Sequence, residues 1–165
     1  KFAASTPVSV EKSRAEIEGV VKTYGASQFM SGWKSGSAMI AFCLNDLNIR
    51  FILPIPDQKD TAFLWTLRRG YKVRASEAQA AAAYEQEVRR RWRALYLVIK
   101  AKLEAVETKI STIEEEFMAH IVMPNDMTVG QFIVHNAIAD LKANRMPAIA
   151  GPKNDENVID AEIIE

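Results

Sequence analysis

The sequence predicts an α+β fold: a helix, a three-stranded antiparallel meander, a long helix, two shorter helices and a disordered acidic tail. Three observations lead there. Apolar-rich runs broken by two tight-turn signals fill residues 28–53. A seam of apolar residues at alternating steps of four and three runs from Tyr84 to Val106. From Gly151 onward five acids face a single base, Lys153, and periodicity is lost.

Ser9 suits an N-cap, with Val10, Ile17, Val20, Val21 and Tyr24 following at helical spacing and Gly25 as the stop. Gln28 to Trp33 reads as a first strand, Lys34-Ser35-Gly36-Ser37 as a hairpin turn, and Ala38 to Leu44 as a second strand. Asn45-Asp46 is a second turn. The third strand, Leu47 to Leu53, alternates: Leu47, Ile49, Phe51 and Leu53 share one face, Asn48 and Arg50 the other. It ends at Pro54-Ile55-Pro56, where prolines remove ladder donors. Residues 57–75 fit a short helix or a fourth, edge strand.

Ser76-Glu77-Ala78-Gln79 is a capping box opening a helix to about Glu107, with Tyr84, Val88, Leu95, Ile99 and Leu103 as its expected buried seam. Such a helix is longer than a three-stranded sheet needs. Its far end calls for the later helices or a second subunit. Ser111-Thr112-Ile113-Glu114 is read as another capping box, for a helix reaching Val122. Thr128 is expected to cap a last helix carrying Val129, Phe132, Ile133, Ala137 and Leu141.

The length suits one domain, placed at residues 1–150, with residues 151–165 as the acidic tail. No apolar run reaches the ~18–20 residues of a membrane span, and Lys1 to Pro7 lack the apolar stretch of a secretion signal. A lone cysteine, Cys43, excludes an internal disulfide. The expectation is a cytoplasmic protein. The net charge of zero hides segregation. Residues 151–165 carry −4, which leaves +4 on residues 1–150, and residues 68–102 hold ten bases against three acids.

Catalytic patterns are missing. His120 and His135 fall on different expected helices, and no His, Cys and acid spacing matches a metal site. Cys43, between Phe42 and Leu44, reads as a small core hydrophobe. Glu114, Glu115 and Glu116 sit in a first helical turn, where the dipole favours them. Asp57 and Asp60 occupy a loop without a partner motif. There is no phosphate-binding glycine loop and no nucleophile elbow. Neither a metal nor a cofactor is expected.

The basic–aromatic region offers more. Single-stranded nucleic acids are bound by cations for the phosphates and aromatic rings for the bases. Trp65, Arg68, Arg69, Tyr71, Lys72 and Arg74 interleave in one segment, and Arg89, Arg90 and Arg93 lie away from the long helix's seam, with Arg91 flanking it. Arg50, on the non-core face of its strand, is expected to extend the same surface. An ordinary solvated helix face remains the alternative.

Several stretches carry a family resemblance: Thr6-Pro7-Val8-Ser9-Val10-Glu11-Lys12-Ser13-Arg14, Arg50-Phe51-Ile52-Leu53-Pro54-Ile55-Pro56-Asp57, Arg91-Trp92-Arg93-Ala94-Leu95, and Ile99 to Glu107 continuing into Glu114-Glu115-Glu116-Phe117. Over most of residues 6–135 the chain resembles a group of small proteins of tailed phages and prophages. The resemblance implies a phage-encoded accessory protein and supplies no activity or site. Helix, meander and helix is also the order of double-stranded-RNA-binding domains. Those carry lysines where this chain has Ser76-Glu77-Ala78-Gln79-Ala80, so that reading is rejected. The core of phage single-strand annealing proteins offers an analogy of fold alone.

Together these point to a non-enzymatic protein that binds nucleic acid, single-stranded DNA foremost, in replication or recombination. A homo-oligomer built on the long helix and a protein partner for the acidic tail are further expectations. The alternatives are a protein inhibitor of a host enzyme and a small-molecule or nucleotide binder.

Overall fold

A computed structural model describes residues 5–34 and 36–147 of the chain. The chain divides into two compact units, Lys1–Gly130 and Gln131–Glu165. The expected boundary at residue 150 and the acidic tail lie outside the described residues.

The first unit opens with α1 (Val10–Thr23), whose N-cap Ser9 accepts a hydrogen bond from the Lys12 amide. Gly25 takes φ +92° just past its end, a conformation that glycine adopts without a Cβ penalty. The strands β1 (Gln28–Lys34), β2 (Ser37–Leu44) and β3 (Leu47–Pro54) then form an antiparallel sheet in that order. Asn45 and Asp46 both have positive φ, as a two-residue hairpin turn requires.

One face of the sheet is buried. Ala38, Ile40, Phe42 and Leu44 of β2 join Ile49 and Phe51 of β3 in the core. The helices meet them there, with Ile17 and Val21 from α1 and Trp92, Leu95, Ile99 and Leu103 from α3 (Glu77–Glu107). Phe117 sets its ring edge-on to both Phe42 and Phe51. Cys43 was expected in this core. Register places it on the other face with Ala41 and Met39, and it is only partly covered.

The α3 helix runs unbroken for 31 residues, or about 46 Å at ~1.5 Å per residue. Its capping box joins Ser76 to Gln79 as expected. The seam is buried only from Trp92 onward. Tyr84 and Val88 are half-covered, with Val88 packed at the margin of the core. Its far end is used within the chain. The Tyr24 hydroxyl donates to Glu107 at 2.6 Å, and Lys102 reaches the Glu116 carbonyl at 2.6 Å.

Residues 57–75 contain the expected short helix and, in place of the expected edge strand, a hairpin. A short helix, α2 (Thr61–Leu64), leads into β4 (Trp65–Arg68) and β5 (Tyr71–Arg74). These two strands form a separate two-stranded sheet and not an edge of the main one.

The later helices differ from expectation. α4 (Ile113–Phe117) is capped one residue later, by Thr112 with Glu115, and it stops at Phe117 where Val122 was expected. A 3-10 turn, Met118–His120, follows. Ile121 and Val122 then run beside β3, and the Val122 amide donates to the Asn48 carbonyl at 2.8 Å. Their backbone satisfies a sheet edge that a continued helix would leave bare. The single last helix is two, α5 (Val129–Asn136) and α6 (Ile138–Lys142). Ala137, with φ −125°, interrupts them. In the second unit Arg145 folds back onto Asp140 at 2.7 Å. Among the described residues no helix is long and apolar enough to cross a membrane.

Candidate nucleic-acid interface

The β4–β5 hairpin is anchored at its base. Buried Phe63 of α2 sets its ring edge-on to Tyr84 of α3, with centroids 5.8 Å apart. The Asp60 carboxylate caps α2 by accepting from the Ala62 amide, and the Ala75 amide bonds to the Leu64 carbonyl at 2.9 Å. From there the hairpin leads to a two-residue turn, Arg69-Gly70, with φ +51° and +84°. Such turns favour Asn-Gly. An arginine with positive φ is held there at some conformational cost.

The register sorts the hairpin's side chains. Trp65 pairs with Arg74 and Leu67 with Lys72, so these four share a face. Thr66, Val73, Arg68 and Tyr71 share the other. The Lys72 ammonium lies 5.6 Å from the centre of the Trp65 ring, in cation–π range. Trp65 is 46% exposed, Leu67 76% and Tyr71 77%. Such large apolar groups left in water beside cations mark a contact surface more than a packing one. Residues 61–76 contain no acid. Arg68, Arg69, Lys72 and Arg74 make no ion pair among the described residues.

The helix arginines have partners. Arg89 bonds to Gln86 at 2.9 Å and lies 3.6 Å from Glu85. Arg90 and Arg91 both hold Glu87, at 2.5 and 2.9 Å, and Arg91 also donates to the Pro54 carbonyl at 2.6 Å. The hydrogen bond from Arg90, then that from Arg91, pulls the Glu87 carboxyl down to about 2 against desolvation. Arg93 pairs with Glu16 of α1 and sits 4.3 Å from the Tyr96 ring centre.

Arg50 was expected to extend the basic surface. Its side chain is only 14% exposed and is bound to Asp126, whose carboxylate lies at 2.8 Å. The loop before α5 lies against it and neutralises it. Of the ten sequence candidates, the structure brings Trp65, Arg68, Arg69, Tyr71, Lys72 and Arg74 together on one hairpin. Arg50, Arg89, Arg90 and Arg93 are tied to neighbouring polar groups. Sequence reasoning missed Leu67. Its alternation with Trp65 was visible, but the Arg69-Gly70 turn that makes a strand of it lacked the usual asparagine.

Other chemistry finds less support. His120 stacks on Phe51 with centroids 3.9 Å apart, and burial, then repulsion by Lys102, hold it below its ordinary pKa. Among the described residues no three His, Cys, Asp or Glu side chains converge as metal ligands. A cleft of about 440 Å³ at the α3–α4 turn is lined by Asn45, Lys109 and Glu115, among others. The Glu115 carboxylate there is occupied by the Thr112 amide and the Ser111 hydroxyl. Comparison with protein-family models, with curated proteins and with solved structures finds no match.

Proposed function

We propose that this chain is a phage-type accessory protein that binds nucleic acid, single-stranded DNA foremost, through the β4–β5 hairpin. One observation carries the reading: four cations without acid partners among the described residues stand beside three exposed large apolar side chains, on an element with no acid of its own. Phosphates meet Lys72, Arg74, Arg68 and the turn residue Arg69. Bases stack on Trp65 from one face and Tyr71 from the other. Stacking suits any base because every base has a π-face. Unpaired strands are preferred because rings buried in a duplex are not available to stack.

The test is fluorescence anisotropy of labelled single- and double-stranded oligonucleotides at several salt concentrations. Four phosphate contacts set a limit near −3 on the slope of log affinity against log salt, at ~0.7 per contact on single strands. Single strands should bind more tightly than duplex. An affinity absent for all nucleic acids, or indifferent to salt, overturns the reading. The basic hairpin would then be judged as a surface for an acidic protein, in keeping with an inhibitor of a host enzyme.

A further inference from the structure

The two edges of the main sheet are treated differently. In an antiparallel ladder alternate residues aim N–H and C=O at one neighbour, and the rest aim at the other side. The β2–β3 turn closes on Leu44 and Leu47, so Leu44, Phe42, Ile40 and Ala38 bond to β3. Cys43, Ala41, Met39 and Ser37 bond to β1 through Gln28, Met30, Gly32 and Lys34. The outward groups are therefore those of Asn48, Arg50 and Ile52 on β3 and of Phe29, Ser31 and Trp33 on β1. On β3 the first two are met: Val122 bonds to Asn48, and His120 reaches the Arg50 main chain. Among the described residues no hydrogen bond reaches the outer edge of β1.

Nothing on β1 guards that edge. Its sequence, Gln28-Phe29-Met30-Ser31-Gly32-Trp33-Lys34, has no proline and one charge, at the end. Sheet edges kept monomeric are commonly blunted by charge, proline or a bulge.

We propose that β1 pairs antiparallel with β1 of a second copy, about a two-fold axis at Ser31. This joins two three-stranded sheets into one of six strands. The strand is complementary to itself in that register. The three outward residues align as hydrogen-bonded pairs: Ser31 with the partner's Ser31, and Phe29 with the partner's Trp33 in both directions. Trp33 is 88% exposed although it points to the helix-covered side of the sheet, and it gains an aromatic neighbour. On the other side Met30, 56% exposed, faces the partner's Gly32. A Cβ on Gly32 would meet only the Met39 Cε, at 4.0 Å, so there is open space for the methionine. Lys34 faces the partner's Gln28, and no like charges oppose.

Other registers fit worse. A slip of two residues opposes Met30 to the partner's Met30, or Gly32 to the partner's Gly32, and breaks the Phe29–Trp33 match. A slip of one reverses the faces. This inference does not depend on nucleic-acid binding.

Analytical ultracentrifugation of the full chain over a wide concentration range tests it, with amide hydrogen exchange alongside. The mass should rise from 18.5 kDa toward twice that value. The Phe29, Ser31 and Trp33 amides should become protected only as it does. Ser31→Pro deletes an outward N–H and leaves the β1–β2 ladder its donors, so it should give a monomer. Gly32→Glu keeps every N–H and, if the proline variant misfolds, decides alone. It fills the space for the partner's methionine with a charge and should raise the dissociation constant at least ~10-fold. A wild-type chain that stays monomeric overturns the proposal. So does a dimer that survives Gly32→Glu, which would lie elsewhere. Protection of the three amides in the monomer also overturns it, because another segment would then cover the edge.

Discussion

Arg93 and Glu16 form an ion pair that ties the middle of α3 to α1, and the same guanidinium lies over the ring of Tyr96. The arginine that looked free to meet a phosphate is thus part of the packing of two helices. Basic residues in this chain divide into those holding the fold and those left over.

That division predicts unequal effects of substitution. Changing Lys72, Arg74 and Arg68 together to alanine should flatten the salt dependence of single-strand binding by ~0.7 per lost phosphate contact. Arg93→Ala should leave the slope nearly unchanged and lower stability by about 1 kcal/mol, because its pair is only partly shielded from solvent. Anisotropy titrations and urea unfolding of both variants check this.

Trp65→Ala should weaken single-strand binding by ~1–3 kcal/mol with little change in salt slope, since stacking releases few counterions. Trp65→Phe should recover part of the loss. A slope that falls with Trp65→Ala would mean that the ring acts by holding Lys72 in place.

Two helical glycines should respond to alanine with opposite signs. Around Gly19 in α1 an added Cβ meets nothing within 4 Å. Gly19→Ala should stabilise the protein by about 0.5–1 kcal/mol through helix propensity. At Gly130 the added Cβ would stand 2.7 Å from the Ala119 carbonyl oxygen. Gly130→Ala should cost ~1–3 kcal/mol despite the better helix former. Denaturant midpoints give both answers.

Ser13 is fully buried, and its Oγ has no hydrogen-bond partner among the described residues. A buried hydroxyl without a partner costs more than it contributes. Ser13→Ala should be neutral or stabilising by up to ~1–2 kcal/mol. A loss of stability would reveal a partner for the hydroxyl, such as a buried water.

His120 should make the fold sensitive to mild acid. Burial against Phe51, and then the nearby Lys102, keep its folded-state pKa below the ordinary 6.5. The folded protein therefore takes up this proton less readily than the unfolded chain. The contribution is complete above pH 6.5 and declines as pH falls below it. Urea midpoints at pH 7 and pH 5.5 should differ in that direction, and His120→Gln should reduce the difference.

Much of the fold was legible along the chain because its signals are local. The alternation of Leu47, Ile49, Phe51 and Leu53, the Asn45-Asp46 turn and the Ser76–Gln79 capping box each act within a few residues. So does the seam from Trp92 to Leu103, which one helix face carries. Adjacent strands linked by two-residue turns can only be antiparallel neighbours. The basic and aromatic residues at 65–74 were equally plain as a composition.

What those residues do depended on contacts that sequence spacing does not reveal. Glu16 lies 77 residues from Arg93, and Asp126 lies 76 from Arg50. Only folding shows that these acids neutralise those arginines while the hairpin's four cations keep no such partner among the described residues. The end of α4 at Phe117 was likewise decided at a distance. Helix propensity favours continuing, but the exposed edge of β3 offers Ile121 and Val122 a ladder to join, and tertiary packing outweighs a few tenths of a kilocalorie of local preference. Sequence by itself determined the first helix, the three-stranded meander and the long helix. The tertiary structure decided which charges remain available, because neutralisation requires proximity and proximity is set by the packing of α1, α3 and the sheet.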